Sequence, residues 1–137
     1  MLYYRLVRST YPGFVPRPTP DPPEGARHVS TAEYLTVLTT IDSAARAEEI
    51  ARGAIEARLA ACAQISASVA SVYRWKGAVE TAEEWQILFK TTGSRYDALE
   101  AHLKDVHDYD TPEIIATPVV RGSAEYLTWI TEETDAP

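Results

Sequence analysis

Apolar side chains recur along this chain at two spacings, every second residue or every third to fourth, and the changes between them mark its elements. Glu33 to Thr40 (EYLTVLTT) alternates and is rich in β-branched residues, which predicts a first strand. Asp42 or Ser43 then caps a helix running to about Ala61. Its apolar stripe is Ala47, Ile50, Ala51, Ala54, Ile55 and Leu59, with Glu48 and Arg52 as a supporting i,i+4 pair. Gly53 costs helix propensity and is expected to allow close packing on the sheet. From Ser71 to Thr92 the strand period returns twice. Ser71, Tyr73 and Trp75 line one side of a strand, and Trp85, Ile87, Phe89 and Thr91 line one side of the next. Between them come Lys76-Gly77, where glycine takes a positive φ, and an expected acidic tip of Glu80, Glu83 and Glu84. An isolated ribbon does not bury so much aromatic surface, so the rest of the fold or another copy of the chain covers it.

Ser94 and Asp97 suggest a capping box for a second helix, whose face is Tyr96, Leu99, Leu103 and Val106. His107 follows at its end, where the helix dipole favours an imidazolium. After the polar turn Asp108-Tyr109-Asp110-Thr111, Pro112 excludes further helix. Glu113 to Val120 is predicted as a fourth strand, held to a sheet edge by Pro118. Ser123 caps a short last helix presenting Tyr126, Leu127, Trp129 and Ile130. The order β-α-β-β-α-β, with right-handed crossovers and both main helices on one face, predicts an α+β ferredoxin-like sandwich. Its sheet order is 4-1-3-2, with a long hairpin of strands two and three and a short C-terminal helix. Strand two then forms an edge, and an aromatic edge strand invites pairing with another copy.

Composition narrows the class. The chain has 137 residues, 45% hydrophobic and 24% charged, as in an ordinary single globular domain. No apolar run reaches the roughly 20 residues that span a bilayer. A net charge of −7 argues against a nucleic-acid partner. The single cysteine, Cys62, forms no intrachain disulfide and points to a reducing, cytoplasmic setting. Residues 1–32 stand apart as a Pro-rich N-terminal extension before a domain at 33–137. They hold Pro12, Pro16, Pro18, Pro20, Pro22 and Pro23, and a net charge of +2 against −9 for the remainder. Such a segment is expected to be a disordered tail, or else an arm docked through Tyr3, Tyr4 and Tyr11.

Four pieces in order, ARLAACAQI, SVYRWKG, LFKT and HDYDTPEI, resemble the CutA-type divalent-cation tolerance family over roughly residues 34–130. The resemblance implies a small cytoplasmic ferredoxin-like protein that assembles as a trimer, like the PII signalling proteins, by pairing long hairpins between subunits. It also implies copper tolerance and binding of Cu2+ or another divalent cation, with no organic cofactor. Cys62 and His107 match the family's recurring cysteine and histidine. Tyr73, Trp75, Gly77, Lys90, Tyr109, Pro112 and Glu113 match its other motif positions. Asp108 and Asp110 depart from the Pro and Glu usual beside the tyrosine, and add carboxylates.

The donors to weigh for a metal are thus Cys62, His107, Asp108, Asp110 and Glu113. His107 and the three carboxylates lie within seven residues, so one turn can converge them on an ion, with copper(II) preferred. Binding there should weaken below about pH 6 as the imidazole takes up a proton. Cys62 reads more readily as a small buried core residue. Tyr73, Trp75, Lys90 and Tyr109 are interface or cleft residues: packing for the aromatics, and either a solvated charge or an anion contact for Lys90. No P-loop, nucleophile elbow or paired catalytic carboxylates appear, so the chain reads as a non-enzyme. The alternative to metal binding is a PII-like module whose intersubunit clefts bind a small molecule or protein.

Overall fold

The structure is a computed structural model that describes residues 32–135. The N-terminal extension expected at 1–32 lies, but for Ala32, outside the described residues. The centre of the sheet is β1 (Tyr34–Ile41) beside β4 (Ala78–Thr92), in antiparallel register from Tyr34 opposite Thr92 to Ile41 opposite Trp85. Alternation decides the faces. Val37, Ile41, Ile87 and Phe89 point to one side, each fully buried. Two helices cover them. α1 (Ala44–Glu56) contributes Ala47, Ile50, Ala51 and Ala54, and α2 (Tyr96–Val106) contributes Leu99 and Leu103.

β2 (Cys62–Ile65) and β3 (Val69–Trp75) both pair with β4, and β5 (Ile115–Pro118) pairs with β1. The order β2-β4-β1-β5 is the expected ferredoxin-like one, but its second strand begins at Cys62 rather than Ser71 and runs to Trp75 in two pieces. The break has a local cause. Ser66 Oγ accepts the Gln86 N–H at 3.0 Å, so a side chain takes a ladder bond and the strand is interrupted. α3 (Ala124–Thr134), capped by Ser123, crosses the open face of the sheet. There Tyr34 Oη and Thr131 Oγ1 are 2.7 Å apart, and Lys90 stands over the Tyr126 ring at 5.6 Å.

Four local expectations are corrected. α1 stops five residues before Ala61: Arg58 takes φ 56°, and the N–H groups of Arg58 and Leu59 close on the Ile55 and Ala54 carbonyls. That is a left-handed helix stop, with Leu59 folding back into the core. The capping box does not form at α2, because Ser94 Oγ is 3.0 Å from Thr92 Oγ1 and a 3-10 turn, Gly93–Arg95, leads in. Gly53 faces α2 rather than the sheet, with His102 as the nearest neighbour a Cβ would meet. The hairpin tip is Lys76-Gly77, both at positive φ, and not the acidic residues, which lie on β4.

The β3–β4 hairpin is therefore a ribbon. Residues 78–84 of β4 pair with β3 alone, so seven residues extend about 20 Å past the sheet. Among the described residues, β3 has β4 as its one strand neighbour. Val72 and Val79 share one ribbon face and are 67% and 66% exposed.

Candidate functional site

The segment after α2 places the residues expected to carry chemistry. His107 ends α2 with an extended backbone, and its N–H still donates to the Leu103 carbonyl at 3.0 Å. Its ring turns inward and is 8% exposed. Nε2–H donates to the Thr40 carbonyl at 2.8 Å, and Nδ1 accepts the Tyr109 N–H at 3.1 Å. A carbonyl on one side and an N–H on the other require the neutral Nε2–H tautomer. Burial pushes the His107 pKa below the ordinary imidazole value, outweighing the Thr40 carbonyl and the Asp108 carboxylate, which act the other way. The imidazolium expected at the helix end gives way to a neutral, fully hydrogen-bonded ring.

Tyr109 stacks obliquely on His107, with ring centroids 4.7 Å apart, and sends its hydroxyl to Glu84 Oε2 at 3.2 Å. Glu84, at the base of the ribbon, is 1% exposed. Glu113 is half-buried nearby. Burial raises its pKa first and the Glu84 charge raises it further, while the Thr40 hydroxyl lowers it. Asp108 lies at the surface and is bridged by Arg46 at 3.2 Å, and Asp110 is exposed.

The residues considered for a metal therefore do not converge. Cys62 is half-buried at the start of β2, on the open sheet face and outside the core cluster. It stands opposite Lys90, which stands opposite Thr36 of β1. His107 reaches β1 at Thr40, four residues away, so roughly 13 Å of strand separates the two levels. Among the described residues, no three His, Cys, Asp or Glu side chains form a group able to hold a metal. Of the interface residues, Tyr73 and Trp75 lie on the ribbon, where Tyr73 Oη is 3.5 Å from Glu80 and Lys76 stands over Trp75 at 5.8 Å.

Sequence reasoning missed two residues of this site. Glu84 was expected at an acidic hairpin tip, and Thr40 was assigned only to a strand. Counting back by twos from Lys90 puts Glu84 on the open face, yet nothing local signals its burial. Thr40 is 3% exposed.

A βαββαβ sandwich with a projecting ribbon and a helix across its open face defines the class: a ferredoxin-like, PII-like small protein. Within that class the chain belongs to the CutA1 divalent ion tolerance protein family, whose model matches residues 35–133. The divalent-cation tolerance protein CutA of Thermus thermophilus is 42% identical over 98 residues, covering 72% of this chain and 95% of its own length. Protein CutA of Homo sapiens is 33% identical over 137 residues, 99% of this chain and 76% of its own. The crystal structure of CutA from Xylella fastidiosa superposes with a TM-score of 0.73 at 39% identity, covering 75% of this chain and 99% of that one.

Proposed function

We propose that the protein serves divalent-cation tolerance as a cytoplasmic homotrimer, by binding rather than by catalysis. The observation that supports this best is the outer edge of β3, which has no strand neighbour among the described residues. Pairing each ribbon with the next subunit satisfies that edge and covers Val72 and Val79. A closed three-fold ring then leaves no ribbon edge free to propagate aggregation.

Copper(II) enters this proposal as the cation that the family resemblance implies. His107, bonded through both ring nitrogens, does not fit as its ligand, and Cys62 stands at another level of the sheet. No step is derived through a copper held by these two. Light scattering of the full chain at micromolar concentration tests the assembly: a trimer mass is expected, and a monomer overturns it. Growth of a strain lacking the gene under copper stress tests the role, with rescue by the parent gene as the expected result. A copper titration beside Cys62→Ser and His107→Ala decides whether either contributes.

A second reading, the PII-like interaction module, is favoured by one feature. A groove of about 1050 Å³ opens between the start of α2 and β5, lined by Tyr34, Leu35, Tyr96, Ala116 and Pro118 among others. A small molecule or a peptide fits a groove of that size and apolar character.

A further inference from the structure

The chain enters β1 beside apolar surface that the two helices leave uncovered. Ala116 and Pro118 of β5 stand opposite Val37 and Leu35 and so share their helix-covered face, yet both are exposed. They form one side of the groove of about 1050 Å³, and the start of α2 forms the other. Tyr34 and Tyr96 stand in its wall with their rings held in place. Tyr34 Oη is 2.7 Å from Thr131 Oγ1, and the Tyr96 hydroxyl donates to Glu100 Oε1 at 3.2 Å. Glu33 and Asp97, both exposed, add negative charge to the rim. Ala32, the first described residue, is itself part of the lining, so the chain that precedes it starts at the groove. This surface and the ribbon lie at opposite ends of the sheet, the groove at the Tyr34 end of β1 and the ribbon beyond the Ile41 end.

From this arrangement we propose that the chain's own proline-rich run, residues 16–23, docks in the groove and covers it. The run, PRPTPDPP, favours polyproline II, a conformation set before docking, and aromatic-lined grooves recognise such segments. Its reach fits. Residues 24–31 tether it to Ala32, and these eight residues span up to about 26 Å. Ala116, opposite Val37, lies five residues along β1 from Ala32, roughly 16 Å away. The tether therefore reaches every part of the groove. Charge fits as well: Arg17 lies between Pro16 and Pro18, and the extension at +2 meets a domain at −9. A tether this short holds the run at about millimolar effective concentration, so a Kd of about 0.1 mM leaves the groove empty only about a tenth of the time. Any other peptide or small molecule must then displace the extension to enter. This deepens the interaction-module reading by naming its peptide, and rests on that reading, but not on the trimer or on any metal.

Thiol labelling of the full chain tests the docking, in a Cys62→Ser background so that Thr19→Cys carries the one thiol. Adding Ala116→Lys, which fills the exposed floor of the groove, should speed labelling about tenfold. Thr117→Lys, on the same strand but the other face of the sheet, should leave it slow. The docking is overturned if Ala116→Lys leaves the rate unchanged, or if Thr117→Lys speeds it as much. A second variant identifies the occupant. With Thr19→Cys and Ala116→Cys in the same background, oxidised glutathione should link the two thiols within one chain. A link between two chains overturns the assignment to the chain's own run. The two readings fail separately. A groove that leaves the thiol unprotected, yet takes a free polyproline peptide that Ala116→Lys excludes, sinks this inference alone. A groove that does neither sinks the interaction-module reading with it.

Discussion

His107 donates Nε2–H to the Thr40 carbonyl over 2.8 Å, tying the end of α2 to the far end of the central strand. The ring also accepts the Tyr109 N–H at Nδ1, which requires it to be neutral, and burial keeps it so. In the unfolded chain the imidazole protonates at its ordinary value, so below about pH 6.5 the unfolded state binds more protons than the folded one. Stability should fall as the pH drops through that window. Urea midpoints of the parent and His107→Gln between pH 5 and 8 check this. The variant should be about 1–3 kcal/mol weaker at neutral pH, because a buried ring and two bonds are disturbed. Its slope between pH 5 and 6.5 should be flatter. An equally steep slope would show that another group carries the acid sensitivity.

Glu113 has the opposite sign. Its folded pKa is raised, first by burial and then by Glu84, so at neutral pH its ionised form costs stability. Without added divalent cation, Glu113→Gln should be more stable than the parent at pH 7. The gain should shrink as the pH falls through the raised pKa and vanish below the ordinary carboxylate value, where the folded and unfolded parent are both protonated. Thermal melts at stepped pH read the difference directly, and a gain that grew in acid would contradict the raised pKa.

Val72 and Val79 are largely exposed on one ribbon face. Lysine at both positions should change the stability of a lone subunit by no more than about 0.5 kcal/mol each. If ribbons pair between subunits, the same change buries charge at the contact and lowers the assembled mass. Trp75→Glu should act in the same direction. Light scattering over a dilution series distinguishes the cases, and an unchanged trimer would mean that this ribbon face lies outside the interface.

Gly93 is needed for contact rather than for backbone freedom. Its N–H donates to the Glu33 carbonyl at 2.8 Å, and a Cβ there would come within 2.2 Å of the Ala32 carbonyl oxygen. That oxygen is backbone and yields only if the entry to β1 shifts. Gly93→Ala is expected to cost about 1–3 kcal/mol in urea denaturation, as overpacking does. A variant as stable as the parent would show that the chain before β1 moves freely.

Much of the fold was legible because it rests on short-range periodicity. Alternation in β1 sorted Val37 and Ile41 to the covered face, and the 3-4 spacing of α1 named Ala47, Ile50, Ala51 and Ala54, all buried. Pro118 identified the edge strand, and Ser123 the start of α3. The chain could not declare by itself which polar groups would be enclosed. Ser94 looked free to cap α2, but Thr92 engages its hydroxyl. The charge on His107 is decided by the burial that other elements impose on its ring, and the role of Glu84 by a tyrosine 25 residues away. A hydrophobic stripe follows from the repeat of one element, whereas burial of a carboxylate or an imidazole depends on what other elements bring against it. Periodicity therefore determined the sheet, its order and its core, while tertiary contact alone decided the protonation of His107 and the enclosure of Glu84 and Thr40.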